Sequence, residues 1–262
     1  MGNTLIVEKL GSILTIGLNR PESLNALNVE MGDELVTAIS NASGDKSIRA
    51  VIITGSGKAF CAGGDLQFFT GWKGPKHEAF GILTNRLHRI IIDIRHMPKP
   101  VISAINGVAS GAGFSLAMAC DLRIASIDAK FKQAYTSIGL VPDGGWTISV
   151  ARQIGIAKTS ELLLLDPVLK AEDAFNLGLV NRVVPSIELM EQAKELARQV
   201  SSKSLTAFAQ GKVLINQSLG FGLADQLEAE RNGIMSVSET SDFIEGISAF
   251  LEKRVPEFKG TA

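Results

Sequence analysis

Two small-residue stretches decide the fold of this chain: Ala59-Phe60-Cys61-Ala62-Gly63-Gly64-Asp65-Leu66 and Gly107-Val108-Ala109-Ser110-Gly111-Ala112-Gly113. Each leaves a β-branched strand, at 50–54 and 101–105, and enters a predicted helix. Residues without bulky side chains let a ligand approach the main chain, and the free N–H groups at a helix start point at it. Two such groups that converge on one oxygen make an oxyanion hole, which suits a thioester carbonyl turning into an enolate.

Three further segments accompany the two loops in a fixed order. They are Asn19-Arg20-Pro21-Glu22-Ser23-Leu24-Asn25-Ala26-Leu27, Pro98-Lys99-Pro100-Val101-Ile102-Ser103-Ala104-Ile105-Asn106-Gly107 and Ile138-Gly139-Leu140-Val141-Pro142-Asp143-Gly144-Gly145. Together the five segments resemble the crotonase (enoyl-CoA hydratase/isomerase) superfamily, over residues 4–259. The resemblance implies that the two loops hold the thioester oxygen of an acyl-CoA.

Composition excludes several classes of protein. The 262 residues carry a formal charge of −1 with both signs scattered, which does not favour a nucleic-acid or acidic-membrane partner. The N-terminus lacks a basic region followed by an apolar run, and no apolar run approaches the roughly 20 residues of a spanning helix. We therefore expect no membrane association and a cytoplasmic location.

The cysteines and histidines do not predict a metal site. Cys61 and Cys120 lie in apolar contexts without paired-thiol spacing, which is typical of buried free thiols. The three histidines, His77, His88 and His96, form no His-x-x-x-His pair.

The order of predicted elements indicates an α/β fold with a mainly parallel sheet. Strands are predicted at 4–9, 12–18, 50–55, 101–106, 121–126 and 179–184, and helices at 28–43, 77–97, 112–120, 204–217, 221–236 and 239–253, with a helical pattern also beginning near 186. The resemblance implies a crotonase-like ββα spiral core with oxyanion-hole loops at 1–200 and a C-terminal helical trimerisation region at 201–262. It also implies a homo-trimer, or a hexamer formed as a dimer of trimers.

The resemblance assigns the oxyanion donors to the main-chain N–H groups of Gly64 and Ala112. Hydratases of this family use two glutamates, and the matching positions here hold Ser115 and Tyr135. Adding water to a double bond needs one group to activate water and one to protonate the α-carbon. The usual hydratase pair is therefore absent.

Asp143 is the acidic residue that remains in a catalytic position of the superfamily. By itself, an aspartate before Gly-Gly-Trp-Thr favours a helix cap, for a helix that starts near residue 144, because aspartate is a preferred N-cap residue. The resemblance favours catalysis, because some isomerases of the superfamily carry their carboxylate here. A single carboxylate suits a double-bond shift, with a pKa raised by an apolar pocket. The expected reaction is isomerisation of an enoyl-CoA.

Two alternatives depend on other residues. A hydratase, hydrolase or dehalogenase-like enzyme would use Asp143 with His88 or Tyr135, since the dehalogenase branch has a histidine at the position of His88. That branch has a tryptophan at Tyr135 and a phenylalanine at Gly64, so its aromatic cage is incomplete here. A non-catalytic CoA-binding scaffold is the second alternative, favoured by the missing glutamates.

Coenzyme A is expected only as part of the acyl-CoA substrate, with no covalently bound cofactor. The resemblance places its contacts at the positions Leu24, Ala26, Ala62, Gly64, Asp65, Leu66, Phe250 and Lys253. The last two would come from a neighbouring subunit. Phe68, Phe69 and Trp72 indicate an apolar wall around the acyl group.

Overall fold

The structure is a computed structural model that describes residues 4–260. These residues contain ten strands: β1 (Leu5–Leu10), β2 (Ile13–Leu18), β3 (Ala50–Gly55), β4 (Ala59–Cys61), β5 (Val101–Ile105), β6 (Val108–Ser110), β7 (Leu122–Ser126), β8 (Lys130–Lys132), β9 (Leu169–Lys170) and β10 (Arg182–Val184). They also contain ten α-helices: α1 (Val29–Gly44), α2 (Leu66–Gly71), α3 (Lys76–His96), α4 (Ala112–Ala119), α5 (Trp146–Leu165), α6 (Ala171–Asn176), α7 (Leu189–Ser201), α8 (Leu205–Gln217), α9 (Leu223–Ser238) and α10 (Ser241–Glu252). The predicted α/β class is confirmed.

The larger sheet has six strands in the order β1-β2-β3-β5-β7-β10. β1 and β2 form an antiparallel hairpin, and the remaining neighbours pair in parallel. Ala50-Val51-Ile52-Ile53 at the start of β3 is buried throughout, because parallel strands that are covered on both faces need apolar side chains on both. The prediction of a mainly parallel sheet is confirmed.

A second sheet, absent from the sequence prediction, has four strands in the order β4-β6-β8-β9. Its first three strands each follow shortly after a strand of the larger sheet, β4 after β3, β6 after β5 and β8 after β7. Segments of two or three residues are too short to show an alternating apolar pattern, so the sequence does not reveal them. The repeated strand pairs and the helices between them wind the chain into the expected ββα spiral.

Most predicted helices are confirmed, with bounds that differ by a few residues. The helix α6 was not predicted, whereas α2 is the helix expected after the first small-residue stretch and α5 is the one considered near residue 144. α5 begins at Trp146 rather than near residue 144, and the non-helical backbone of Gly155 (φ 78°, ψ 161°) interrupts it. That conformation is open to glycine because it has no Cβ.

The core lies on both faces of the larger sheet. On one face α1 and α3 bury residues such as Leu35 and Ile90, and on the other α7 packs Leu189 and Leu196 against the strands. No helix within residues 4–260 has an apolar stretch long enough to cross a lipid bilayer.

Cys61 and Cys120 are buried free thiols, as predicted. Burial raises the pKa of Cys61 to about 11, and burial with the nearby Asp121 raises the pKa of Cys120 to about 12. Both thiols therefore keep their protons at neutral pH.

The C-terminal helices are attached to the core through α8. The buried Lys212 ammonium donates to the Ile94 carbonyl (2.8 Å) and to Asp121 Oδ2 (2.7 Å). Beyond α8, the helices α9 and α10 leave large apolar side chains exposed, among them Ile234, Met235, Ile244, Phe250 and Leu251. The division into units 1–200 and 201–262, and the trimer or hexamer, stay predictions.

Candidate active site

A cavity of about 210 Å³ lies where the two small-residue loops, α3 and the segment 134–143 meet. Most of its lining is apolar. Gly64 and Ala112 line it from the two loops, and Tyr135 and Asp143 line it from the segment that follows β8. Four of the five residues predicted to be catalytic thus meet at one cavity.

The two loops touch because glycine occupies the points of closest approach. A Cβ on Gly113 would lie 2.0 Å from the carbonyl oxygen of Cys61. Gly63 and Gly111 have positive φ angles of 114° and 51°, in a region that favours glycine. These backbone requirements account for the glycines in both loops.

The N–H groups of Gly64 and Ala112 donate no hydrogen bond to any residue in 4–260. Hydrogen bonds on both sides hold Gly64, from Leu27 N–H to the Gly63 carbonyl (2.7 Å) and from Asp65 N–H to the Leu27 carbonyl (2.9 Å). Ala112 is the first residue of α4, and helices leave their first N–H groups without an internal partner. Both residues line the cavity, and neither N–H group is used by another part of residues 4–260.

The carboxylate of Asp143 has a tyrosine as its donor. The Tyr135 hydroxyl donates to Asp143 Oδ1 at 2.6 Å, and Ser115 Oγ donates to the Asp143 carbonyl at 2.8 Å. Burial, and then the neighbouring Asp143 carboxylate, raise the pKa of Tyr135. Tyr135 therefore stays protonated and acts as a donor. A hydratase of the family would have glutamates at positions 115 and 135. Here Ser115 and Tyr135 both contact Asp143, the one residue with a carboxylate in the described cavity lining.

The interpretation of Asp143 as a helix cap is wrong. Gly145 is the N-cap residue of α5, and no side-chain hydrogen bond caps this helix. The Asp143 main-chain carbonyl accepts from Trp146 N–H at 3.2 Å, but its side chain accepts from Tyr135. The carboxylate is therefore turned to the cavity wall and not to the helix.

His88 lies outside the cavity, contrary to its expected place beside Asp143. α3 contributes Phe80, Leu83, Thr84 and Leu87 to the lining, and His88 is exposed. Successive helical residues are rotated by about 100°, so His88 is directed away from the face that Leu87 presents. Nor do any three His, Cys, Asp or Glu side chains of the described residues gather as metal ligands would.

Two of the residues expected to contact coenzyme A line the cavity mouth beside Gly64. They are Ala62 and Leu66, and Leu66 is exposed. The Leu24 side chain is also exposed, and its carbonyl accepts from Ala62 N–H at 3.0 Å. This bond fixes the 24–26 turn against the first loop.

The side chain of Asp65 has a structural use that the sequence did not indicate. It accepts from Gln67 N–H at the start of α2 (3.0 Å) and forms an ion pair with Arg20 (2.8 Å). Arg20 also donates to the Ala26 carbonyl at 2.6 Å. Ala26 and Asp65 were both expected to contact coenzyme A; within the chain the Ala26 carbonyl accepts from Arg20 and the Asp65 carboxylate pairs with Arg20.

Phe250 and Lys253 are not part of the cavity. Phe250 lines a separate groove between α8 and the C-terminal residues, and Lys253 is the exposed C-cap of α10. Their predicted contact with coenzyme A through a neighbouring subunit stays a prediction.

The aromatic wall differs in part from the expected one. Phe69 lines the cavity, whereas Phe68 and Trp72 do not. Phe69 stacks on Phe80 with ring centroids 4.1 Å apart and an interplanar angle of 14°. Phe80, Leu83 and Leu87 were not predicted to line the site, although their spacing on one face of α3 could have revealed them.

The fold and the sequence match known proteins across nearly the whole chain. The family model described as Enoyl-CoA hydratase/isomerase matches residues 8–261. A short-chain-enoyl-CoA hydratase from Clostridium acetobutylicum is 36% identical over 253 residues, which cover 96% of each protein. A 1,2-epoxyphenylacetyl-CoA isomerase from Escherichia coli is 38% identical over 256 residues, which cover 97% of each. The crystal structure of an enoyl-CoA hydratase from Polaromonas sp. JS666 has a TM-score of 0.92 at 39% identity, covering 97% of this chain and 99% of that one.

Proposed function

Because this chain belongs to the enoyl-CoA hydratase/isomerase family, we propose that it is an enoyl-CoA isomerase with Asp143 as its proton shuttle. The observation that carries this proposal is the lining of the cavity, to which the described residues contribute one carboxylate, that of Asp143. Relatives are named as hydratase and as isomerase, so the choice between the reactions depends on the residues of this site.

The thioester oxygen of a 3-enoyl-CoA would accept hydrogen bonds from the N–H groups of Gly64 and Ala112. The Asp143 carboxylate removes a proton from the α-carbon, and the electron pair moves to the thioester oxygen as a dienolate. Preorganised donors at the point where this charge develops lower the barrier. Asp143, now a carboxylic acid, returns the same proton to the γ-carbon, and the electrons shift back to leave a double bond between the α- and β-carbons.

Hydration would need a second proton-transfer group within reach of water. Ser115 Oγ donates to the Asp143 carbonyl and the Tyr135 hydroxyl donates to its carboxylate. His88, the other expected partner, is exposed. These arrangements support the isomerase over the hydratase and the dehalogenase-like enzyme.

The acyl-CoA would enter past the first loop. Main-chain groups around Ala62 and the side chain of Leu66 would contact the pantetheine arm, which suits their place at the cavity mouth. A second copy of the chain would supply Phe250 and Lys253, because Phe250 lines a different groove of its own chain and Lys253 is exposed at the end of α10.

The test is turnover of 3-octenoyl-CoA by the wild-type protein and by Asp143→Asn, which keeps the shape of the side chain but is not a base. We expect conversion to 2-octenoyl-CoA, and a fall in kcat of about 10²–10⁴-fold in the variant, the usual contribution of general acid–base catalysis. Coenzyme A binding, measured by calorimetry, should be unchanged.

Two results would overturn the proposal. Incorporation of oxygen from ¹⁸O-labelled water into the product of wild-type turnover would indicate a hydratase. Coenzyme A binding without turnover of 3-enoyl, 2-enoyl or cyclic acyl thioesters would indicate a binding scaffold.

A further inference from the structure

Asp143 has two carboxylate oxygens in different surroundings. Oδ1 accepts the 2.6 Å hydrogen bond from the Tyr135 hydroxyl, whereas Oδ2 accepts no hydrogen bond from the part of the chain that the structure describes. The Tyr135 side chain is 9% exposed, and its hydroxyl also lies 3.4 Å from Ser115 Oγ. The tyrosine ring is therefore fixed by its surroundings, and its hydroxyl donates to one of the two carboxylate oxygens of Asp143.

We propose that Tyr135 is a positioning residue that holds Oδ1 of Asp143 and leaves Oδ2 as the oxygen that removes and returns the substrate proton. This inference rests on the proposed isomerase function. A shuttle that serves two carbon atoms must keep one oxygen free and correctly aimed throughout. A donor on the oxygen that does not react provides that restraint.

The charge balance of the cavity supports this role. An apolar lining disfavours an ionised carboxylate, and a hydrogen bond to the charged form favours it. Hydrogen bonds with one ionised partner are shorter and stronger than neutral ones, which agrees with the 2.6 Å separation. The raised pKa of Tyr135 means that the hydroxyl does not compete with Asp143 as a base.

Other titratable groups do not face the pair closely. Among the described residues that line the cavity from the two loops, α3 and the segment 134–143, only Tyr135 and Asp143 carry titratable side chains. His88 on α3 is exposed outside the lining, and Arg20 and Asp65, which pair with each other, are also not part of it. Among the described residues, Tyr135 is therefore the one titratable side chain that shares the cavity lining with Asp143.

Ser115 adds a restraint on the main chain. Its hydroxyl donates to the Asp143 carbonyl at 2.8 Å, and a Cβ on Gly144 would lie 2.9 Å from Ser115 Cβ and 2.9 Å from Leu87 Cδ2. The backbone that carries Asp143 is thus held between α3 and α4. Tyr135 then needs to fix only the side-chain torsions.

The chain has a single tyrosine, so biosynthetic replacement of tyrosine by 3-fluorotyrosine changes this hydroxyl alone, to a more acidic and stronger donor. The experiment compares wild type, Tyr135→Phe and the fluorotyrosine protein by the pH profile of kcat/KM for 3-octenoyl-CoA. Titration of the Asp143 carboxyl carbon by ¹³C NMR, assigned with Asp143→Asn, accompanies it. Thr136→Val is the control, because it removes a neighbouring hydroxyl that is not part of the cavity lining and that donates to the Leu163 carbonyl and accepts from the Gln133 side-chain amide.

We expect Tyr135→Phe to raise the midpoint of the acidic limb of the profile, and that of the NMR titration, by about one pH unit. A shift of this size corresponds to the free energy of one lost hydrogen bond to a charged group. The fluorotyrosine protein should shift both downward, and Thr136→Val should shift neither. A Phe variant whose carboxyl titrates as in wild type would overturn the inference. If the Phe variant does not fold, a fluorotyrosine protein whose carboxyl titrates as in wild type would overturn it equally. Absence of isomerisation by wild type would instead overturn the proposed function.

Discussion

The contact between the two loops can be tested at Gly113, where the structure leaves no room for a side chain. A Cβ there would lie 2.0 Å from the Cys61 carbonyl oxygen, and real Cβ contacts below 3.0 Å essentially do not occur. Gly113→Ala must therefore move α4 away from the end of β4 by at least about 1 Å, since overpacked sites relieve strain through backbone shifts.

That displacement falls between the two proposed oxyanion donors. α4 begins with Ala112, and the chain that leaves β4 at Cys61 continues to Gly64. A misplacement of about 1 Å can cost about 10²-fold in rate, and loss of one oxyanion donor costs about 10²–10³-fold in kcat. We expect kcat for 3-octenoyl-CoA to fall by about 100-fold or more.

The matched control is Gly81→Ala in α3, where a Cβ would meet nothing within 4 Å. This change should leave kcat unaltered and stabilise the helix by about 0.5–1 kcal/mol, the usual difference between alanine and glycine. Steady-state kinetics and urea unfolding of both variants make the comparison. A Gly113→Ala protein that is folded and retains kcat within about threefold of wild type would refute the argument from loop contact.

Two further predictions concern the buried side chains of Asn25 and Cys120. Asn25→Ala should lower the free energy of unfolding by about 3 kcal/mol in urea denaturation, because the Ser56 carbonyl and the Arg20 N–H lose their partner; a loss below about 1 kcal/mol would contradict this. Asn25→Gly should lose about 1 kcal/mol less, because residue 25 has φ +56°. The pKa of Cys120 is raised by burial from 9.0 to about 12, so its contribution to stability is complete below pH 9 and declines as the pH rises towards 12. The difference in unfolding free energy between wild type and Cys120→Ala should therefore shrink by about 1.4 kcal/mol from pH 8 to pH 10, and a difference independent of pH would show that the thiol titrates normally.

Long apolar strands and amphipathic helices could be predicted because their patterns extend over many residues. The run at β3 is buried along its first four residues, and α7 presents its apolar stripe to the sheet. The short strands β4, β6 and β8 could not be predicted, since pairing with distant segments, and not local propensity, defines them.

At the candidate site, the sequence could predict the lining residues whose position is fixed by the main chain. Gly64 and Asp143 lie in short connecting segments, Ala112 begins α4, and all three line one cavity. The direction of side chains was harder to predict. Leu87 and His88 are neighbours on α3, yet Leu87 lines the cavity and His88 is exposed. The bond between Tyr135 and Asp143 depends on the path of the chain over residues 136–142, which has no periodic pattern to interpret.

The residues proposed to bind the thioester oxygen and the residues proposed to transfer the proton lie in different turns of the spiral. Gly64 and Ala112 follow β4 and β6, in the first two strand pairs, whereas Tyr135 and Asp143 follow β8, in the third. If these residues have the proposed roles, changes of side chain in the third turn would alter the reaction of a bound thioester and leave the main-chain N–H groups proposed to bind its oxygen unchanged. On the proposed roles, the reaction could change in evolution or by design through residues 135 and 143 without any change in the loops proposed to bind the thioester.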